Sequence, residues 1–226
     1  MAILFDLDGT LLDTSRDMHT AINQTMQLAN KPLVDYSKIR NRVSFGGKHM
    51  LAAALDFDLN NNTEHAAYIE QLLPSFLDFY AKTKFQLTIA FAGIEELLLS
   101  LEKNNISWGI VTNKNTALTE PLLKSIGYFD RSACVICGDT TTKPKPAPDP
   151  LFYACNLLQV KPQDCIYVGD ALTDIQAGKA AGMRTIAAAF GFIPENTIVA
   201  DWQADVIVNE PHEIFPWIQQ WSKKIL

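Results

Sequence analysis

No apolar stretch of this 226-residue chain approaches the roughly 20 residues that a membrane-spanning helix needs. Nor does a charged segment lead into a long apolar run at its start, as a secretory signal would. The protein is therefore expected in the cytoplasm, with no membrane partner. Positive charge is also in short supply: 19 Lys and Arg stand against 25 Asp and Glu, a formal charge of −6. Without a basic field, nucleic acid is excluded as a partner, and a small anion must be captured by local geometry. Histidine is scarce, and His19, His49, His65 and His212 follow no metal-ligating spacing, so they read as surface or core residues. The four cysteines include a C-x-x-C pair, Cys134 and Cys137, inside an apolar run that looks like a strand. Residues three apart on a strand point to opposite faces and cannot share one ion. With no second pair nearby, these are expected to be buried structural thiols. Internal repeats and low-complexity tracts are absent too.

What is present is apolar mass. At 48% apolar residues the chain can bury a sizeable core, as one large domain or two small ones. Its organising stretch is Phe5-Asp6-Leu7-Asp8-Gly9-Thr10-Leu11, where a short apolar run stops at two carboxylates. Ala2 to Phe5 read as a buried strand that ends at Asp6, with Gly9 marking the turn. Carboxylates at i and i+2 on a strand end share a face, and their repulsion is costly unless a cation sits between them. A hard cation such as Mg²⁺ would meet that need. The plainer alternative is an Asp-Gly turn with solvated acids.

The rest of the chain falls into two kinds of sequence. From about Ser15 to Asn30 apolar residues recur at helical spacing, with Thr14 or Ser15 able to cap. Helical stretches follow at Tyr36 to Val43 and Met50 to Leu55, interrupted by Phe45-Gly46-Gly47. Asn60-Asn61-Asn62-Thr63 marks a turn into a long helix through about Lys82, which Pro74 should bend or restart. From Gly93 the pattern alternates: helices about 94–103, 116–126, 149–158 and 173–181, and strands 107–112, 133–137, 165–169 and 184–188. Such βα units predict a parallel sheet. Gly127 and Gly182 stand where helix C-caps belong. Val206 to Val208 add an edge strand, and Pro211 to Lys224 a closing helix. In an open parallel sheet ligands bind beyond the carboxyl ends of the strands, where Asp6, Thr112, Asp139 and Asp170 all fall.

Asp6-Leu7-Asp8-Gly9-Thr10 resembles the first motif of the haloacid dehalogenase superfamily of phosphohydrolases. Val111-Thr112-Asn113 resembles its second motif, Lys145-Pro146-Ala147-Pro148-Asp149-Pro150 its third, and Val168-Gly169-Asp170 with Asp174 its fourth. The resemblance covers essentially the whole chain and is closest to the branch holding phosphoglycolate phosphatases and N-acetylmuramic acid 6-phosphate phosphatases. It implies an α/β fold: a Rossmann-like three-layer α/β/α core with a parallel sheet whose first strand is central, formed by residues 1–13 and 83–226. A small all-helical cap domain, residues 14–82, would select the substrate.

The same resemblance implies a Mg²⁺-dependent phosphatase that acts through an aspartyl phosphate on a small phosphorylated metabolite. Asp6 would attack phosphorus, and Asp8 would protonate the leaving alkoxide and then activate water. Mg²⁺ would be held by Asp6, the carbonyl of Asp8, and Asp170, with Asp174 as ligand or outer-shell residue. Thr112, Asn113, Gly9 and Thr10 would face phosphate oxygens, although Thr112 and Asn113 could equally form an ordinary helix cap. Lys145 would be the fixed cation, with Lys143 as its competitor in register. In the cap, Arg40 to Lys48 concentrates cations beside glycines, which puts Ser44, Gly46 and Lys48 forward as substrate-binding candidates. The bland reading of that loop is a solvated basic face.

A haloacid dehalogenase would not need Asp8, and a non-catalytic relative would be expected to have lost an acid, whereas a phosphomutase would keep every motif. The chain is expected to be a monomer or homodimer. Val43 to Gly47, Trp108 to Lys114 and Trp202 to Val208 look more like the muramic acid phosphate enzymes, while the core motifs equally suit phosphoglycolate.

Overall fold

Ala2–Phe5 forms strand β1, and all four residues are fully buried, as an unbroken apolar run requires of a strand covered on both faces. The computed structural model describes residues 1–59 and 61–222. Asn60, in the expected turn, and Lys223 and Lys224, at the end of the expected closing helix, lie outside the described residues. The chain divides into two compact units, Met1–Leu12 with Ala90–Leu226, and Asp13–Ile89. It passes between them through two short strands that pair with each other, β2 (Leu12–Asp13) and β3 (Ile89–Ala90). Neither was expected, because two residues carry no periodicity to read.

The unit Asp13–Ile89 contains α1 (Ser15–Leu28), α2 (Tyr36–Arg40), α3 (Gly47–Leu55) and α4 (Thr63–Lys82). Helix α1 buries Met18, Ala21, Ile22, Thr25 and Met26 along one stripe and packs against α4 and α2. Its first turn is held by Asp13, whose Oδ1 accepts from the Ser15 N–H at 3.1 Å, while Thr14 makes no side-chain capping bond. Asn62 caps α4, accepting from the N–H groups of Glu64 and His65. The helix runs on through Pro74 as one element. The unit also reaches beyond Lys82. Phe85 is buried with its ring edge-on to Tyr80 at 5.4 Å, and the buried Asp17 carboxylate accepts from Leu87 N–H at 3.0 Å and Thr88 Oγ1 at 2.8 Å. Those contacts carry the boundary to Ile89 rather than Lys82.

The other unit is built on a six-stranded sheet, adding β4 (Ser107–Val111), β5 (Val135–Ile136), β6 (Cys165–Gly169), β7 (Arg184–Ala188) and β8 (Val206–Val208) to β1. The order is β5-β4-β1-β6-β7-β8, and every pairing is parallel. The helices between strands are α5 (Ile94–Lys103), α6 (Thr116–Ser125), α7 (Asp149–Leu158) and α8 (Leu172–Ala180), and α9 (Ile214–Ser222) closes the described chain. Side chains from β1, β4 and β6, among them Leu4, Val111 and Tyr167, form one apolar cluster with Leu151 of α7 and Ala177 of α8. Trp108 lies on the opposite face of β4 from Val111 and donates its indole N–H to Glu102 of α5, so α5 covers the other side. Gly127 and Gly182 adopt the positive φ their C-cap positions call for. All four cysteines are buried and free. Among the described residues no helix is long and apolar enough to cross a membrane.

Register places the site. Phe5 lies opposite Ile110 on one side and Val168 on the other, so β1, β4 and β6 end at the same edge, and the loops after them emerge side by side.

Candidate active site

Asp6 follows the last residue of β1 and still donates its N–H to the Val168 carbonyl at 2.9 Å, so its position is set by the sheet. The chain then turns tightly, with the N–H groups of Thr10, Leu11 and Leu12 all directed at the Leu7 carbonyl. Gly9 makes the turn possible. Its φ is +92°, and a Cβ there would stand 2.0 Å from Asp170 Oδ2, so only glycine fits.

Asp6 and Asp8 are both nearly buried, at 7% and 9% exposure. Each has its own lysine. Lys145 Nζ lies 2.7 Å from Asp6 Oδ1, 2.7 Å from Asp174 Oδ1, 2.7 Å from the Tyr167 hydroxyl and 3.0 Å from the Val111 carbonyl. An ammonium has three protons for these four acceptors. The Tyr167 hydroxyl relieves the shortage by donating to the Val111 carbonyl at 2.8 Å. Lys114 Nζ reaches both oxygens of Asp8, at 2.9 and 3.0 Å.

Burial pushes the Asp6 carboxyl up to about 7; Lys145 pulls against that, while Asp174 and Asp8 add to the rise. Burial by itself would lower Lys145, but the Asp174 and Asp6 carboxylates outweigh it and hold the ammonium above the ordinary lysine range. Tyr167 is also held well above its usual value, by burial first and then by the same two carboxylates.

Asp170 and Asp174 complete the cluster. Asp170 Oδ2 accepts from Phe192 N–H at 2.9 Å, and its Oδ1 lies 3.4 Å from Thr10 Oγ1. Asp174 Oδ2 accepts from Ala171 N–H at 3.0 Å, which ties the start of α8 to the site. One oxygen each of Asp6, Asp170 and Asp174 lies within 4.8 Å of the others, all three residues being buried. With these three ionised, Lys145 leaves a net charge of −2 (three carboxylates less one ammonium). Buried charge of that size and an all-oxygen donor set fit a hard divalent cation such as Mg²⁺.

The loop after β4 differs from expectation. Thr112 is buried and its hydroxyl accepts from Lys114 N–H at 3.2 Å. The Asn113 amide grips the Lys145 backbone: Nδ2 donates to the Lys145 carbonyl at 2.9 Å and Oδ1 accepts from Lys145 N–H at 3.0 Å. It holds the lysine's loop. Lys145 is buried while Lys143 is exposed, which separates the two lysines. Asp139 stays out of the site; its carboxylate accepts from the N–H and hydroxyl of Thr116 at the start of α6, and those bonds hold it below the ordinary carboxylate range. Ser44, Gly46 and Lys48 belong to the helical unit. Ser44 sits in a short 3₁₀ turn, Gly46 has φ +84° just before α3, and the half-exposed Lys48 is ion-paired with Glu70 of α4.

Lys114 and Tyr167 were not foreseen. Lys114 directly follows the second motif, and Tyr167 is the one side chain with a polar tip in the apolar run of β6, a signal that marks a buried hydroxyl in search of partners.

Residues 3–188, which include all four of these loops, match the haloacid dehalogenase-like hydrolase family. The chain belongs to that family. It is 41% identical over 214 residues to the N-acetylmuramic acid 6-phosphate phosphatase of Pseudomonas aeruginosa, covering 94% of this chain and 92% of that protein. It is 39% identical over 210 residues to the phosphoglycolate phosphatase of Xylella fastidiosa, covering 93% and 89%. In fold it is similar to the crystal structure of a predicted phosphoglycolate phosphatase from Haemophilus somnus 129PT, with a TM-score of 0.83 and 23% identity over 96% of this chain and 97% of that one. The haloacid dehalogenase-like architecture thus accounts for the parallel sheet, its central first strand and the four loops at one edge.

Proposed function

We propose that this protein is a Mg²⁺-dependent phosphatase that hydrolyses a small phosphomonoester through an aspartyl phosphate on Asp6. That it is a phosphoric monoester hydrolase follows from its family and from relatives near 40% identity that are phosphatases. The mechanism is carried by one observation: two carboxylates two residues apart are each engaged by a different lysine. Paired this way, they are suited to different tasks.

Asp6 attacks phosphorus with one carboxylate oxygen; the phosphorus–oxygen bond to the leaving group breaks, and Asp8 gives that oxygen a proton. In the second half, Asp8 takes a proton from water as the water attacks phosphorus, and the Asp6 carboxylate is released. Lys145 neutralises charge next to Asp6, and Thr112 borders the same edge. Asp6, Asp170 and Asp174, with the Asp8 carbonyl, would hold Mg²⁺, which when bound supplies positive charge for the transferring phosphoryl group.

For the organic group, phosphoglycolate and N-acetylmuramic acid 6-phosphate are the two candidates, since relatives acting on each stand at nearly the same identity. Release of inorganic phosphate should be measured across a panel containing both, which also separates a phosphatase from a phosphomutase. Turnover should vanish on chelation and return with Mg²⁺, and Mg²⁺ should raise the thermal unfolding midpoint. Asp6→Asn should abolish turnover in a folded protein. Full activity in that variant would sink the covalent mechanism.

A further inference from the structure

We infer that Lys114 is a positioning residue that sets the orientation of the Asp8 carboxyl group for its proton transfers. The inference rests on the reading of Asp8 as proton donor and acceptor. One ammonium contacts both Asp8 oxygens at nearly equal distances, 2.9 and 3.0 Å, which restrains the rotation of the carboxyl group as well as its place. The two side chains are 5% and 12% exposed, so water competes little for the contact. Lys114 is itself held at both ends of its main chain: its N–H donates to Thr112 Oγ1 at 3.2 Å, and its carbonyl accepts from Gly138 N–H at 2.9 Å. Gly138 is needed for that grip, because a Cβ there would stand 2.2 Å from the Asn113 carbonyl oxygen. The lysine therefore reaches Asp8 from an anchored loop. Lys145, by contrast, serves Asp6 and Asp174.

Positioning and plain charge compensation predict different kinetics. The ratio kcat/KM covers steps through breakage of the leaving-group bond, and an alkyl phosphate needs a proton there, whereas p-nitrophenolate departs as its anion. Asp8→Asn, Lys114→Met and Lys114→Arg should be compared with the unsubstituted protein on an alkyl phosphomonoester and on p-nitrophenyl phosphate. Far-UV circular dichroism and thermal unfolding report folding. Lys114→Arg keeps the buried charge and carries the test alone if Lys114→Met does not fold.

The expected result is that each Lys114 variant loses kcat/KM at least about tenfold more on the alkyl ester than on p-nitrophenyl phosphate, in the same sense as Asp8→Asn, a part of the roughly 100- to 10,000-fold that general acid–base catalysis supplies. Full recovery in Lys114→Arg would show that charge alone suffices and would overturn the inference. So would equal losses on both esters in the Lys114 variants while Asp8→Asn discriminates between them. If Asp8→Asn itself fails to discriminate, the role given to Asp8 falls, and the inference falls with it.

Discussion

At the scale of single residues, the two lysines of the third motif make a direct test. Lys145 is buried among Asp6, Asp174 and Tyr167, whereas Lys143, two residues earlier, is exposed. Replacing Lys145 by alanine removes a fixed cation next to Asp6, the proposed nucleophile, and leaves the buried Asp6 and Asp174 carboxylates without this counter-charge. Lys145→Ala should lower kcat/KM by about a hundredfold or more, the scale of one preorganised electrostatic contact. Lys143→Ala should stay close to the unsubstituted protein. Steady-state kinetics on both variants checks the register, and the reverse ranking would place the fixed cation two residues upstream. Tyr167 explains part of the precision of this arrangement, because its hydroxyl supplies the Val111 carbonyl and lets the ammonium keep its protons for the carboxylates and the phenol oxygen.

At the scale of elements, the loop between β4 and α6 organises the site from behind. Thr112, Asn113 and Lys114 are consecutive, yet they serve different partners: Thr112 braces Lys114, Asn113 grips the Lys145 backbone, and Lys114 holds Asp8. Asn113→Ala should therefore lower kcat with little change in KM, because the amide orders the lysine's loop rather than touching the substrate. A rise in KM with kcat preserved would return Asn113 to substrate binding. The α6 end of the loop is secured separately, by the Asn115 and Asp139 side chains at the N-terminus of the helix.

At the scale of the molecule, labour is expected to divide between the two units. On the proposed function, the loops of the sheet unit would deal with phosphate, metal and leaving oxygen, which are common to every phosphomonoester. We propose that the helical unit makes that choice through Arg40 to Lys48. Lys48 is paired with Glu70 at the surface, and such exposed pairs contribute only about 0–1 kcal/mol, so its charge can be exchanged for a ligand at small cost. Lys48→Ala and Ser44→Ala should each reduce kcat/KM for the preferred substrate more than tenfold beyond any loss on p-nitrophenyl phosphate, corresponding to about 1.5–3 kcal/mol for a charge-assisted hydrogen bond. Equal losses on the two esters would make the loop an ordinary solvated surface.

Much of this was legible in the chain because it depends on neighbours in sequence. The apolar run of Cys165–Gly169, the helix Asp149–Leu158 and the glycines after α6 and α8 follow from local periodicity and backbone freedom. The alternation of strands and helices then fixes a parallel sheet, and a parallel sheet puts Asp6, Thr112 and Asp170 at one edge. What each of those side chains touches was decided only in three dimensions. Asp8 and Lys114 are 106 residues apart, and they meet because the sheet order puts β1 beside β4. The pairing of β4 with β5 likewise brings the Asn113 amide to the Lys145 backbone and Asp139 to the start of a helix. The sequence alone thus determined which residue types stand at the edge of the sheet, since that follows from strand ends and turns. The tertiary structure decided which lysine answers which carboxylate, because hydrogen-bond partners are assigned by distances between loops that no local pattern encodes.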